Sequence, residues 1–334
     1  MTTVDEIKQS LEMVPVPDIK RSVIGLNMVR EINVSDGKVD ILLASTGMIP
    51  EQQDWVKSKI QEVVKNLPGI KDVVVNYSSI KAKELNKIDR IIAVMSGKGG
   101  VGKSLVSGLV AIALSREGYE VGIMDADITG PSIPKMFGIK SRPGGNEDGI
   151  LPVLSKLGIE VMSINLLLPS EDDAVIWRGP LIGNTIKQFG EDVLWGKLDY
   201  LIIDLPPGTA DAPITVMQAF PISGVIVVFT PQDLVEMIVK KAVNMARKME
   251  KKVLGVVENM SYLYVPEIDK KIEIFGKSRG QELAKVSNAP LLGQIPIDSE
   301  LARLCDAGEI ERFDGDILKD LSESLRKILL TTSE

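Results

Sequence analysis

The stretch Ile91-Ile92-Ala93-Val94-Met95-Ser96-Gly97-Lys98-Gly99-Gly100-Val101-Gly102-Lys103-Ser104 decides the fold of this chain. An unbroken apolar run enters a loop of the form GxxxxGK(S/T), and a helical pattern follows. Glycines let successive backbone N–H groups close around an anion at a distance that side chains would block. In such a loop Lys103 reaches the outer phosphates of a nucleoside triphosphate, and the Ser104 hydroxyl faces Mg²⁺. An ordinary glycine-rich turn has no need of strand, loop and helix in this order. The nucleotide-binding set is therefore Gly97, Lys98, Gly99, Gly100, Val101, Gly102, Lys103 and Ser104.

Outward from the loop, continuous apolar runs alternate with helical stretches: Ile91–Met95, Val121–Met124, Tyr200–Ile203, Val225–Phe229, Val253–Val257 and Leu291–Ile295. Strands without polar alternation belong to a parallel sheet covered on both faces. The expected fold class is α/β, a P-loop NTPase with a mostly parallel sheet between helices, preceded by a small α/β domain. Just past the carboxyl ends of the runs stand the loop at Gly97, then Asp125, Asp204, Thr230, Asn259 and Pro296. Ligands of open α/β sheets bind along that edge.

Residues 1–80 read as the small domain. Helical spacing over Asp5–Met13 is stopped by Pro15-Val16-Pro17, and two alternating runs, Met28–Val34 and Val39–Leu43, flank the hairpin signal Asp36-Gly37. A second helix is carried by Val56, Ile60, Val63, Val64 and Leu67 and ends at Pro68-Gly69, before a strand at Ile70–Val75. The polar residues 81–89 read as a linker, and 90–334 as the nucleotide-binding domain. At the far end Ile317, Leu318, Leu321, Leu325, Ile328 and Leu329 form an amphipathic helix. Its polar face mixes Asp320, Glu323, Arg326 and Lys327, so it is expected to pack on its own sheet rather than on a membrane.

Bulk properties narrow the function. The 334 residues carry a net charge of −7 with no basic tail, which disfavours nucleic acid. No apolar run approaches membrane-spanning length, and the N-terminus is unlike a signal peptide, so the cytoplasm is expected. Cys305 is the single cysteine and histidine is absent. One chain alone therefore makes no disulfide, no Cys/His zinc site and no Cys-ligated cluster. The metal expected is a hard, oxygen-bound ion, Mg²⁺ with ATP.

Two carboxylate segments lie on the rim, Asp125-Ala126-Asp127 and Asp204-Leu205-Pro206-Pro207-Gly208. A strand-end Asp204 suits a water of the Mg²⁺ shell, and Asp127 suits orienting the attacking water. Asp125 is either part of this chemistry or a structural partner for the turn after it. Gly208 would let a backbone N–H approach the γ-phosphate. Lys98 is harder to use within one chain, because Lys103 already serves the phosphates; it is expected to reach a nucleotide on a second subunit, in the manner of an arginine finger. The bland alternative is a solvated loop lysine.

The string KGGVGKS resembles the deviant P-loop ATPases that include MinD, ParA and the nitrogenase iron protein. DADITGPSIP at 125–134, WGKLDYLIIDLPPGTAD at 195–211, FTPQDL at 229–234 and VVENMSY at 256–262 narrow the resemblance to the Mrp/ApbC iron–sulfur cluster carrier ATPases. Residues 1–80 resemble the iron–sulfur-assembly domain that often precedes them. The resemblance implies a homodimer with two ATP molecules facing each other, Lys98 acting in trans, Lys103 and Ser104 on phosphate and Mg²⁺, Asp127 supporting hydrolysis, Asp204 holding the metal shell and Asn259 on the adenine. It also implies a 4Fe–4S cluster at the two-fold, handed to apoprotein clients.

The chain departs from that pattern where the resemblance implies a Cys-x-x-Cys pair after NMSY: Val265 and Ile268 stand there. Four thiolates normally hold a 4Fe–4S cluster, and a dimer of this chain offers two, both Cys305. Cys305 itself reads as a small buried residue. Two functions follow, an ATPase of iron–sulfur assembly or transfer and an ATP-switched protein-interaction ATPase that carries no cluster. A positioning ATPase of the MinD or ParA kind is disfavoured by the absence of a basic segment.

Overall fold

The structure is a computed structural model that describes residues 2–127, 130–167, 179–232 and 235–331. In chain order the elements are α1 (Val4–Leu11), β1 (Val29–Ser35), β2 (Lys38–Ala44), α2 (Pro50–Lys65), β3 (Asp72–Ser78), α3 (Ala82–Leu85), β4 (Lys87–Ser96), α4 (Lys103–Arg116), β5 (Val121–Asp125) and α5 (Ile133–Met136). Short strands β6 (Gly145–Asn146), β7 (Gly149–Ile150) and β8 (Val153–Leu154) precede β9 (Glu160–Ser163), α6 (Gly179–Glu191), β10 (Lys197–Asp204), α7 (Asp211–Ala219), β11 (Gly224–Phe229), α8 (Val235–Lys248) and β12 (Val253–Glu258). The chain closes with β13 (Leu263–Val265), β14 (Lys270–Ile272), α9 (Gly280–Ser287), β15 (Leu291–Gln294), α10 (Ser299–Asp306) and α11 (Asp316–Thr331). Two compact units result. One gathers 1–88, 142–153 and 188–198; the other gathers 89–141, 154–187 and 199–334.

In the first unit β1 runs antiparallel to β2, and β2 parallel to β3. The hairpin turns where Asp36-Gly37 predicts it: both residues are left-handed, φ 48° and 83°, as a type I′ turn requires. Thr3 and Glu6 form a reciprocal capping box at the start of α1. Ile7, Leu11, Ile41, Leu43, Val56, Ile60 and Val64 are buried between helices and sheet. Residues 81–89, polar enough to read as a linker, fold as α3 and the start of β4.

This unit is completed by two later pieces of chain. Asn146 Oδ1 accepts from the N–H of Gly47 at 2.9 Å, Asp148 at 3.0 Å and Gly149 at 3.2 Å, and its Nδ2 donates to the carbonyls of Ser45 at 2.9 Å and Met48 at 3.2 Å. Asn86 Oδ1 accepts from the N–H of Trp195 and Gly196, and its Nδ2 donates to Val193. Arg21 donates to the carbonyls of Trp195 and Lys197. Ser79 donates to Asp148, which holds that carboxyl below the usual aspartate range with help from Lys81.

In the second unit an eight-stranded sheet has the order β15-β12-β11-β4-β10-β5-β9-β8, with helices flanking it. The pairings of β4 with β11, β5 with β10, β11 with β12 and β12 with β15 are all parallel, as the apolar runs predict. Strand β9 escapes the pattern because buried Glu160 interrupts it. α4 is buried along Val106–Leu114, consistent with a helix that is apolar on every side. α11 buries Ile317, Leu318, Leu321 and Leu325 and packs on α4 and β15, the placement expected from its mixed polar face. The Leu329 side chain lies outside the described residues.

Candidate nucleotide site

β4 sits centrally in the sheet, and its carboxyl end delivers residues 97–102 to the N-terminus of α4. Gly102 is the N-cap, with φ 82° and no side-chain cap. A Cβ there would also collide with the amide of Asn259, so position 102 requires glycine for two independent reasons. The unpaired first-turn N–H groups of α4 make this end of the helix a place where an anion is favoured by hydrogen bonding and by the helix dipole.

Beside the loop the charged side chains meet in a buried cluster. Lys103 Nζ donates to Asp204 Oδ1 at 2.8 Å and lies 3.7 Å from Asp127 Oδ2. Ser104 Oγ donates to Asp204 Oδ2 at 2.5 Å, and Ser107 Oγ donates to Asp204 Oδ1 at 2.7 Å. Asp204 is fully buried, and Lys103 is 6 % exposed. The parallel pairing of β5 with β10 sets Asp125 directly beside Asp204. Asp125 accepts from the N–H groups of Asp127, Ser132 and Ile133, so it shapes the turn after β5. Burial, reinforced by the charge of Asp204, pushes its carboxyl up to about 8 against the opposing pull of Lys103.

The structure thus brings Lys103, Ser104, Asp125, Asp127 and Asp204 together. The stretch between Asp127 and Gly130 (Ile128, Thr129) lies outside the described residues. Asn259 reaches the loop as well, but it acts on backbone: Nδ2 donates to the Val101 carbonyl at 2.9 Å, and Oδ1 accepts from Met260 N–H. Gly208 has φ 92° and donates its N–H to the Ser96 carbonyl at 3.0 Å. Lys98 donates to Gln232 Oε1. Thr230, on the same rim, is buried, and its hydroxyl has no partner among the described residues. Asp233 and Leu234 of the 229–234 string lie outside them.

Three contributors carry little signal of their role in the sequence. Ser107 lies one helical turn after Lys103, a polar residue in an otherwise apolar helix, which was a usable signal. Gln232 and Glu258 sit inside quoted strings, yet nothing in residue type alone gives them their partners. Val265 ends β13, and Ile268, 57 % exposed, lies in the turn before β14. Cys305 is half-buried on α10, where burial and then Asp306 push its thiol up to about 11. Among the described residues no group of three or more His, Cys, Asp or Glu side chains is arranged to hold a metal ion, and no helix is long and apolar enough to cross a membrane.

Comparison with known proteins bears directly on this arrangement. The family model described as NUBPL iron-transfer P-loop NTPase matches residues 87–329, and that described as iron–sulfur cluster assembly protein matches residues 4–77. An iron–sulfur cluster carrier protein of Synechocystis is 37 % identical over 324 residues, spanning 92 % of this chain and 91 % of the relative. The chain belongs to the iron–sulfur cluster carrier family. A carrier protein of Clostridium perfringens is 47 % identical over 247 residues, covering 71 % of this chain and 87 % of the relative. The nucleotide-binding protein of Archaeoglobus fulgidus, solved in complex with ADP, superposes with a TM-score of 0.64 at 45 % identity, over 72 % of this chain and 95 % of that one. The family is thus one of P-loop, nucleotide-binding NTPases, and the loop at 97–104 lies within the matched region.

Proposed function

We propose that this chain is a cytoplasmic, Mg²⁺-dependent ATPase that works as a homodimer in iron–sulfur cluster assembly or transfer. The observation that carries the reading is the buried assembly of Lys103, Ser104 and Asp204 beside the loop, with Asp127 next to it. An ammonium held at 2.8 Å by a buried carboxylate is poised to exchange part of that partnership for phosphate oxygens. Mg²⁺ fits the donor set, because it prefers a few oxygen ligands completed by phosphate and water to a dedicated cage. Ser104 Oγ and Asp204 would hold it, the latter through its water shell, and it would supply charge neutralisation on the β- and γ-phosphates. Asp127 would accept a hydrogen bond from the attacking water as the bond between the bridging oxygen and the γ-phosphorus breaks. Lys98 would leave Gln232 and meet the nucleotide of the partner, and Asn259 would bear on the adenine end.

A specific observation favours a second reading of the cargo. With Val265 and Ile268 at the positions where the resemblance implies thiolates, a dimer has only two half-buried Cys305 thiols. An ATPase that switches its grip on client proteins without carrying a cluster needs no thiolates. Anaerobic reconstitution with iron and sulfide, followed by iron quantitation and visible absorption, separates the two. The ligand count predicts no stable 4Fe–4S cluster. A stoichiometric cluster that survives Cys305→Ser would refute that count; one lost in the serine variant makes Cys305 a ligand completed by external thiols.

A further inference from the structure

Glu258, the last residue of β12, is fully buried, and its carboxylate gathers four donors. Oε2 accepts from Ser261 Oγ at 2.6 Å, Ser278 Oγ at 2.6 Å and Gln294 Nε2 at 2.7 Å, and Oε1 accepts from Arg279 N–H at 2.8 Å. These donors come from the entry to the β13–β14 hairpin, from its exit and from the end of β15. A buried carboxylate is tolerable only with such partners, so this group closes the base of the hairpin.

The hairpin entry is also tied to the segment after β15, where Ser261 N–H donates to the Ile295 carbonyl and Ile297 N–H to the Tyr262 carbonyl; beyond these ties the hairpin is largely exposed. Each strand is three residues long, and Tyr264, Ile268, Ile272, Ile274 and Phe275 are 39–57 % exposed. A two-stranded ribbon of that size is marginal on its own, so its base decides its position. At the same strand end the next residue, Asn259, is 2 % exposed and bonded to Val101 within the nucleotide loop. Arg279 at the hairpin exit also pairs at 3.0 Å with Glu236 near the start of α8.

We infer that Glu258 is a positioning residue that couples the nucleotide loop to the exposed hairpin, so that filling the loop stiffens residues 263–279. The inference rests on the reading that this loop binds a nucleotide. An anion in the loop fixes the Val101 peptide, Asn259 is fixed with it, and opening the Glu258 lock one residue away becomes costlier. By linkage, a closed lock favours the nucleotide-competent loop to the same degree. The apolar edge of the hairpin is thereby presented rigidly when nucleotide is bound and loosely when it is not.

Hydrogen exchange on the full chain, with and without Mg²⁺ and ADP, tests this, with light scattering on the same samples to separate self-association from stiffening. In the unaltered chain, amides at 97–104 and at 276–279 should both slow, the latter by about fivefold, the low end of ordinary coupling. In Glu258→Gln the loop should still be protected by ADP while the response at 276–279 disappears. Ser278→Ala, which removes a single donor, should halve the response and serves if the glutamine variant does not fold. Protection of the loop with no response at 276–279, or an undiminished response in the folded variants, overturns the coupling. Failure of ADP to protect the loop overturns the nucleotide reading and the coupling with it.

Discussion

Replacing Asn146 with alanine should destabilise the first unit while leaving the nucleotide loop intact. The side chain makes five hydrogen bonds to backbone groups, three accepted and two donated, across residues 45–48 and 148–149. At a net 0.5–1.5 kcal/mol for each, the sum is about 2.5–7.5 kcal/mol. The site is half-buried, so water takes over part of the loss, and the expected cost is about 3 kcal/mol. That is a large share of the roughly 5–15 kcal/mol that holds a domain together. With a urea slope of about 2 kcal/mol/M, the unfolding midpoint of this unit should fall by about 1.5 M. Trp195, buried in the same unit, reports the transition by fluorescence in a background where Trp55 and Trp177 are phenylalanine. A loss below about 0.5 kcal/mol, the size of an ordinary surface change, would show that residues 142–153 are not bound into this unit as argued.

One further outcome concerns the loop and another the single cysteine. On the proposed trans role, which puts the Lys98 charge on the partner's transferring phosphate, Lys98→Ala should keep ATP binding but lose turnover by about a hundredfold or more, together with nucleotide-dependent dimerisation; phosphate release and light scattering measure both, and unchanged turnover removes Lys98 from the mechanism. Cys305, with its thiol pushed up to about 11, should alkylate at pH 8 on the order of a hundredfold more slowly than an unhindered cysteine and accelerate roughly tenfold per pH unit until that value is reached. A rate that levels off near pH 9 in mass-spectrometric labelling would contradict the half-buried placement beside Asp306.

What was legible in the sequence was whatever is local. The Asp36-Gly37 turn, the apolar runs and the loop at 97–104 each announce themselves within a dozen residues, because backbone sterics and periodicity act over that range. Strand ends then forecast which residues stand on the rim, while Asp204 beside Asp125 depends on the pairing of β10 with β5, which the folded sheet supplies. Partnerships set by the tertiary path were hidden. Asn146 and Asn86 look like loop residues, and only the folded chain reveals which carbonyls they serve. Glu160 broke a strand pattern because burial of a charged group runs against composition. Gln232 and Glu258 matter through partners far off in sequence, which no spacing rule encodes.

The three-part first unit has a consequence for synthesis. Its opening residues leave the ribosome early, yet the partners of Asn86 and Arg21 are residues 193–197, far along the chain. Those hydrogen bonds cannot form until β4, the nucleotide loop and β5 have been made. The last segment gathered into this unit ends at residue 198. Such a body is poorly suited to being cut out and grafted elsewhere as a self-contained cassette, because part of its frame is encoded inside its neighbour.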